Sequence, residues 1–206
     1  MAATTLYVTA DELKTTLRLS GTTFADADVD VACEAASRAV DEYCARWFYA
    51  PDPSNEETTR YYTPDGPVTL YIDDLLAAED AVVAVDTTGA GGFTDEWVVG
   101  TDFEFEPANA EAGGQPYTRL VCRAPRRWPT GYRRSVAVTG QYGWAAVPGP
   151  VVAATGILAA RLMRRAREAP FGIVVAGIDQ ASAVRIARSD PDVAALLDPY
   201  SRQVVL

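Results

Sequence analysis

The sequence contains no histidine and one lysine, Lys14, among 206 residues. Without histidine the commonest general base and metal ligand is missing, and so is every Ser/His or Cys/His nucleophile pair. Cysteine is scarce: Cys33, Cys44 and Cys122, with no two at the close spacing of a zinc site. An odd, unclustered set fits a reducing compartment. Cys33 and Cys44 fall on one expected helix, about 16 Å apart along its axis, which forbids a bond between them. Cys122 reads as a small buried hydrophobe. No apolar run reaches the ~20 residues of a membrane span. The opening MAATTLYVTADEL lacks the basic-then-apolar order of a signal peptide. The expectation is synthesis in the cytoplasm with no membrane partner. GAGG at Gly89–Gly92 lacks the Lys-Ser/Thr of a phosphate-binding loop and reads as a turn.

What is present is an ordinary core and an uneven charge. With 49% hydrophobic and 22% charged residues, one domain with an insertion, or two small ones, is expected. The net charge is −10, yet residues 1–112 hold 23 Asp/Glu against 5 Lys/Arg, and residues 113–206 hold 5 against 13. Arginine supplies 17 of the 18 basic residues, the type suited to planar contacts with carboxylates. Either the fold interleaves the two halves and cancels the split, or the subunit has an acidic and a basic side suited to head-to-tail packing.

Three clusters invite chemistry. DADVD (Asp26, Asp28, Asp30) imitates the start of a calcium loop, but Val31 stands where glycine is needed and Ser37 where glutamate is needed. It reads as the acidic first turn of a helix. YIDDLLAAED offers Asp73, Asp74, Glu79 and Asp80, either as a carboxylate pair for glycosidase or divalent-metal hydrolysis or as a solvated strand end and turn. RAPRRWPTGYRR, Arg123–Arg134, interleaves five arginines with Trp128 and Tyr132. Its readings are a protein interface, an exposed hairpin, or a contact to single-stranded nucleic acid.

Periodicity supplies the fold. VTADELKTTLRL opens with a capping box, Thr9 to Glu12, ahead of Leu13 and Leu17. DADVDVACEAASRAVDEYCARWF predicts a long helix capped by Asp26, with a stripe at Val29, Cys33, Ala36, Val40, Tyr43 and Trp47. From about residue 59 to 144 the period shifts to short β-branched and aromatic runs. They predict about six strands of an antiparallel sheet or small sandwich, EWVVGTDFEFEP being one of them. VPGPVVAATGILAARLMRRARE returns to helix, burying Val151, Ala154, Leu158 and Leu162. APFGIVVAGIDQ reads as extended and ASAVRIARS is ambiguous. SDPDVAALLDPY predicts a short helix capped by Asp190, with Pro191 at its first position and Pro199 ending it. So short a helix must dock on something, in this chain or another. The fold class expected is α+β. A helical core is made by residues 1–58 and 146–189, residues 59–145 are an inserted antiparallel β-rich region, and residues 190–206 form a terminal helix and docking tail.

The order of these motifs resembles the head–tail connector (adaptor) proteins of long-tailed bacteriophages, most closely those of phages of actinobacteria. The resemblance rests on the paired opening helices with their aromatic end, on VTGQYGW leading through Val147-Pro148 into the Arg-rich helix, on REAPFG, and on DPDVAALLDPYSR. It implies a non-enzymatic, cofactor-free virion protein of the particle neck, present in the host cytoplasm during assembly. In such proteins a homo-oligomeric ring of about twelve copies sits below the portal protein. It extends the channel for genomic DNA without sequence-specific binding, and carries a downstream neck or head-closure protein. The terminal segment then docks on the portal through Val193, Leu196, Leu197, Pro199, Tyr200, Arg202, Val204, Val205 and Leu206, so that residues 190–206 are expected to be dispensable for folding. Ring contacts fall to Arg126, Arg127, Arg161, Arg164 and Arg165. The alternatives are a head-closure or tail-terminator protein, a carboxylate-dependent hydrolase using Asp73, Asp74 or Glu79, and a DNA-binding module at Arg123–Arg134.

Overall fold

The computed structural model describes residues 5–16, 25–49, 57–168 and 180–202. Leu17, the APFGIVVAGID stretch and Val204, Val205 and Leu206 lie outside them. The chain divides into two compact units, a helical unit (Met1–Phe48 with Val147–Leu206) and a sheet unit (Tyr49–Ala146). The class is α+β.

In the helical unit the capping box forms. The Thr9 backbone N–H donates to Glu12 Oε2 at 2.8 Å, and the Glu12 N–H donates to Thr9 Oγ1 at 3.3 Å, opening α1 (Ala10–Thr16). α2 spans Asp26–Cys44. Its N-cap is Ala25, not the expected Asp26, which is the first helical residue and turns its carboxylate to Lys14. Val29, Cys33, Ala36 and Val40 are buried as the spacing predicts. The stripe then departs from expectation. Ala45 adopts the left-handed conformation (φ 51°) and ends the helix, so Trp47 is exposed and Phe48 takes the buried place.

α3 (Gly149–Glu168) buries Val151, Ala154, Leu158 and Leu162 completely, the valine and the two leucines each contributing roughly 1.5–3 kcal/mol. The ambiguous ASAVRIARS is helical, within α4 (Gln180–Ser189), and buries Ala183, Val184, Ile186 and Ala187. α5 (Pro191–Leu197) begins as predicted, with the Asp192 N–H donating to Asp190 Oδ1 at 3.1 Å and Pro191 in the first turn. A 3₁₀ turn, Asp198–Tyr200, follows. α2 packs on α3 and α4, and α3 on α5, which joins both chain ends into one core. Among the described residues no helix is long and apolar enough to cross a membrane.

The sheet unit contains β1 (Thr58–Tyr62), β2 (Thr69–Leu75), β3 (Val82–Val85), β4 (Asp95–Trp97), β5 (Phe103–Glu106), β6 (Tyr117–Cys122) and β7 (Val136–Gly140). They form two antiparallel sheets, ordered β1-β7-β3-β4 and β2-β6-β5. In the first, Val138 faces Arg60 and Val83; in the second, Leu120 faces Leu70 and Phe105. Period-2 alternation sends Leu70, Ile72, Val83, Val85, Phe103, Phe105, Val136 and Val138 into one shared cluster, as in a small sandwich.

EWVVGTDFEFEP is two strands in different sheets. Gly100, at φ +79°, turns the chain between them, and the Asp102 carboxylate accepts the Val98 N–H at 2.9 Å. In the β3–β4 loop Asp86 accepts from Thr88, Gly89 and Gly91, and these bonds, Gly91's foremost, hold its pKa below the usual range. Gly89 has φ +75°, and the Tyr132 ring occupies the place of any side chain there, 2.3 Å from an ideal Cβ.

Candidate functional site

No concave catalytic constellation forms from the carboxylates singled out in the sequence; each has a local structural place. Asp73 pairs with Arg60 at 2.8 Å and with the Tyr62 hydroxyl at 3.2 Å. Asp74 is buried and accepts the Trp144 indole N–H at 3.0 Å, while Glu79 stands exposed in a turn. Asp26, Asp28 and Asp30 line the first turns of α2 at the positive end of its dipole. Among the described residues no three His, Cys, Asp or Glu gather to hold a metal.

Sequence reasoning missed a buried polar network. Asp41 sits on α2 between the Tyr7 hydroxyl, which donates to it, and Arg38, at 3.1 Å. The same hydroxyl accepts the Phe48 N–H at 2.7 Å, and the Tyr7 N–H donates to Ser37 Oγ at 3.1 Å. This pins the N-terminal segment to α2. Burial pushes the Asp41 carboxyl up to about 6, against the opposing pull of Tyr7 and Arg38. Because the folded value lies above the unfolded one, this group's contribution is fully present below about pH 4 and is lost as pH rises through about 6, a change of roughly 3 kcal/mol. Asp41→Asn keeps an acceptor for Tyr7 and has no charge to bury. Denaturation curves between about pH 4 and 7 are expected to show a weaker pH dependence in the variant. The signal was an Asp on the apolar side of a helix, at i+4 from the buried Ser37.

Two of the five arginines of the basic segment are answered by acids of their own unit. Arg123 bonds Glu104 and the Gly100 carbonyl, both at 2.6 Å. Arg126 bonds Asp102 at 2.7 Å, reaches Asp95 at 3.5 Å, and lies over the Trp97 ring. Trp128 is buried, stacked on Trp97 with centroids 4.6 Å apart, and unable to stack on a base. Arg127, Arg133 and Arg134 are exposed. The charge split of the sequence is therefore partly cancelled by spatial mixing. In the helical unit Arg161 pairs with Asp190 and, at 3.5 Å, with Asp192, tying α3 to α5. Arg164 and Arg165 are exposed on α3.

The terminal segment docks within its own chain. Val193 and Leu197 are fully buried, the Arg202 N–H donates to the Cys44 carbonyl at 2.8 Å, and the Tyr43 hydroxyl donates to Asp198 at 2.6 Å. That bond raises Tyr43 to about 12. Tyr200 meets Phe48 edge-on at 5.9 Å. The expectation that residues 190–206 are dispensable for folding gives way: α5 is part of the core. Leu196 is half-buried and Pro199 exposed.

No protein-family model matches the chain, and none of the curated proteins does. Among solved structures the fold is similar to a chain in the neck of an empty GTA particle with C6 symmetry. That likeness has 20% identity, covers 97% of this chain and 92% of that one, and has a TM-score of 0.52. A chain in the neck of a native GTA particle with C12 symmetry, at 19% identity, covers 88% and 85% with a TM-score of 0.46. The first likeness establishes a shared fold along nearly the whole of both chains.

Proposed function

We propose that the chain is a structural subunit of a phage-like particle neck. In this reading it is the head-to-tail adaptor, repeated in a ring of about twelve copies beneath the portal protein. It acts by shape and adhesion: the ring continues the channel for genomic DNA and presents a surface to the next neck or head-closure protein. The observation that carries the proposal is the fold shared with a neck chain over 97% of this sequence. The motif order supports it, and so does the composition, rich in Ala, Asp and Arg as in phages of actinobacteria. A helix-rich core favours the adaptor over a head-closure or tail-terminator protein. The net charge of −10 per chain, multiplied around a ring, disfavours a lumen that grips passing DNA by counterion release.

With Val193 and Leu197 committed to the core, a portal contact falls to Leu196, Pro199, Tyr200 and Arg202 together with the tail residues Val204, Val205 and Leu206. The test is removal of the chain from the particle. Capsids and tails are expected to accumulate unjoined, and electron micrographs of complete particles should place the chain between capsid and tail. Normally joined particles without it, or its location elsewhere, would overturn the reading.

A further inference from the structure

The helical unit has two outward helix faces of different character. On α3 the face opposite the buried Val151, Leu158 and Leu162 carries the exposed Ala153 and the half-buried Gly156, Ile157 and Ala160. For three turns it has no charge, although a water-facing helix surface is ordinarily polar. Gly156 stands mid-helix where glycine is unfavourable, and a Cβ there would meet nothing within 4 Å. Among the described residues nothing asks for a glycine at that position. What a missing side chain permits is a close approach from outside. Arg164 and Arg165 are exposed on the turn that follows.

On α2 the outward face of the first half bears Ala27 and Val31, the latter 44% exposed, flanked by Asp30 and Glu34. Four acids occur before the first basic residue of that helix, Arg38. One face is thus small and apolar with a basic end; the other is small and apolar with an acidic border. They are complementary in charge.

We propose that neighbouring copies of this chain dock head to tail, the α3 face of one seated on the first half of α2 of the next. Gly156 and Ile157 lie against Val31, and Arg164 and Arg165 face Asp30 and Glu34. The occupant is a second copy because one subunit carries both halves of the match on different helices. Such a heterologous contact leaves a free half at each end and continues until it closes. This inference rests on the ring reading above and names the contact that builds the ring.

Two charge reversals in the full chain test it. Asp30→Arg with Glu34→Arg makes both faces basic; Arg164→Glu with Arg165→Glu makes both acidic. By sedimentation at low ionic strength, each variant alone is expected to self-associate at least about tenfold more weakly than the parent, and an equimolar mixture to recover, since the variants alternate. Gly156→Leu is expected to block association while thermal stability stays at or above that of the parent. Association of either reversed variant at the parent's strength, a mixture that stays apart, or a parent chain that remains monomeric at sub-millimolar concentration overturns the contact. The ring reading is judged separately by micrographs: a chain present in the neck whose mixture fails strikes this contact alone, and a chain absent from the neck removes both.

Discussion

Replacement of Phe48 by alanine is expected to destabilise the helical unit by about 3–5 kcal/mol, measured as a lower denaturant midpoint with an unchanged slope. Phe48 is fully buried and meets Tyr7 and Tyr200 edge-on, with centroids at 6.1 and 5.9 Å. The three rings come from the N-terminal segment, the end of α2 and the 3₁₀ turn after α5. A cavity there separates pieces of chain far apart in sequence, and no single helix can relax to fill it. A cost below about 1 kcal/mol would show that the site collapses around the smaller side chain, and that the aromatic hub is not what joins the two chain ends.

Trp128→Ala should have a comparable effect on the sheet unit, about 3–5 kcal/mol. Its indole is buried, stacks on Trp97, lies 6.2 Å from the Phe103 ring and donates to the Val68 carbonyl at 3.0 Å. Trp97 is on β4 and Phe103 on β5, which belong to different sheets. Trp128 therefore fills the space between the sheets where the β4–β5 turn would otherwise leave a gap. Quenching of tryptophan fluorescence together with loss of the sheet unit's cooperative transition is the expected signature. Trp128→Phe retains most of the area but not the hydrogen bond and should cost less. Equal losses in the two variants would assign the effect to the bond to Val68 and not to packing.

The helices were legible because their information is local. The Thr9–Glu12 box, the stripe from Val29 to Val40, the stripe from Val151 to Leu162 and the Asp190-Pro191 start each lie within a few turns. α4 was harder: ten residues, seven of them small or β-branched, satisfy either period. The division of EWVVGTDFEFEP between two sheets was not legible, since it depends on pairing β4 with β3 and β5 with β6, and on a turn at Gly100 that looks like any glycine in a strand. The same limit governed the candidate contact residues. Arg126 and Arg161 read as ring contacts because their partners within the chain, Asp102 and Asp190, lie 24 and 29 positions away. Val193 and Leu197 read as a docking face because a short apolar helix does not state whose core it completes. The Asp41 network needed Tyr7, 34 residues upstream, to become visible.

The helical unit is interrupted by the whole of the sheet unit, residues 49 to 146, and this sets an order of events during synthesis. As the polypeptide leaves the ribosome, α1 and α2 emerge first, with Cys33, Val40 and Phe48 lacking the elements that cover them. The intervening strands, a continuous stretch, can complete their own packing while translation proceeds. Only when α3 and α5 have been made do the early helices find shelter, after a long chain closure with its entropic penalty. For the seconds between, at about 5–20 residues added per second, the core face of α2 waits for the helices that pack on it.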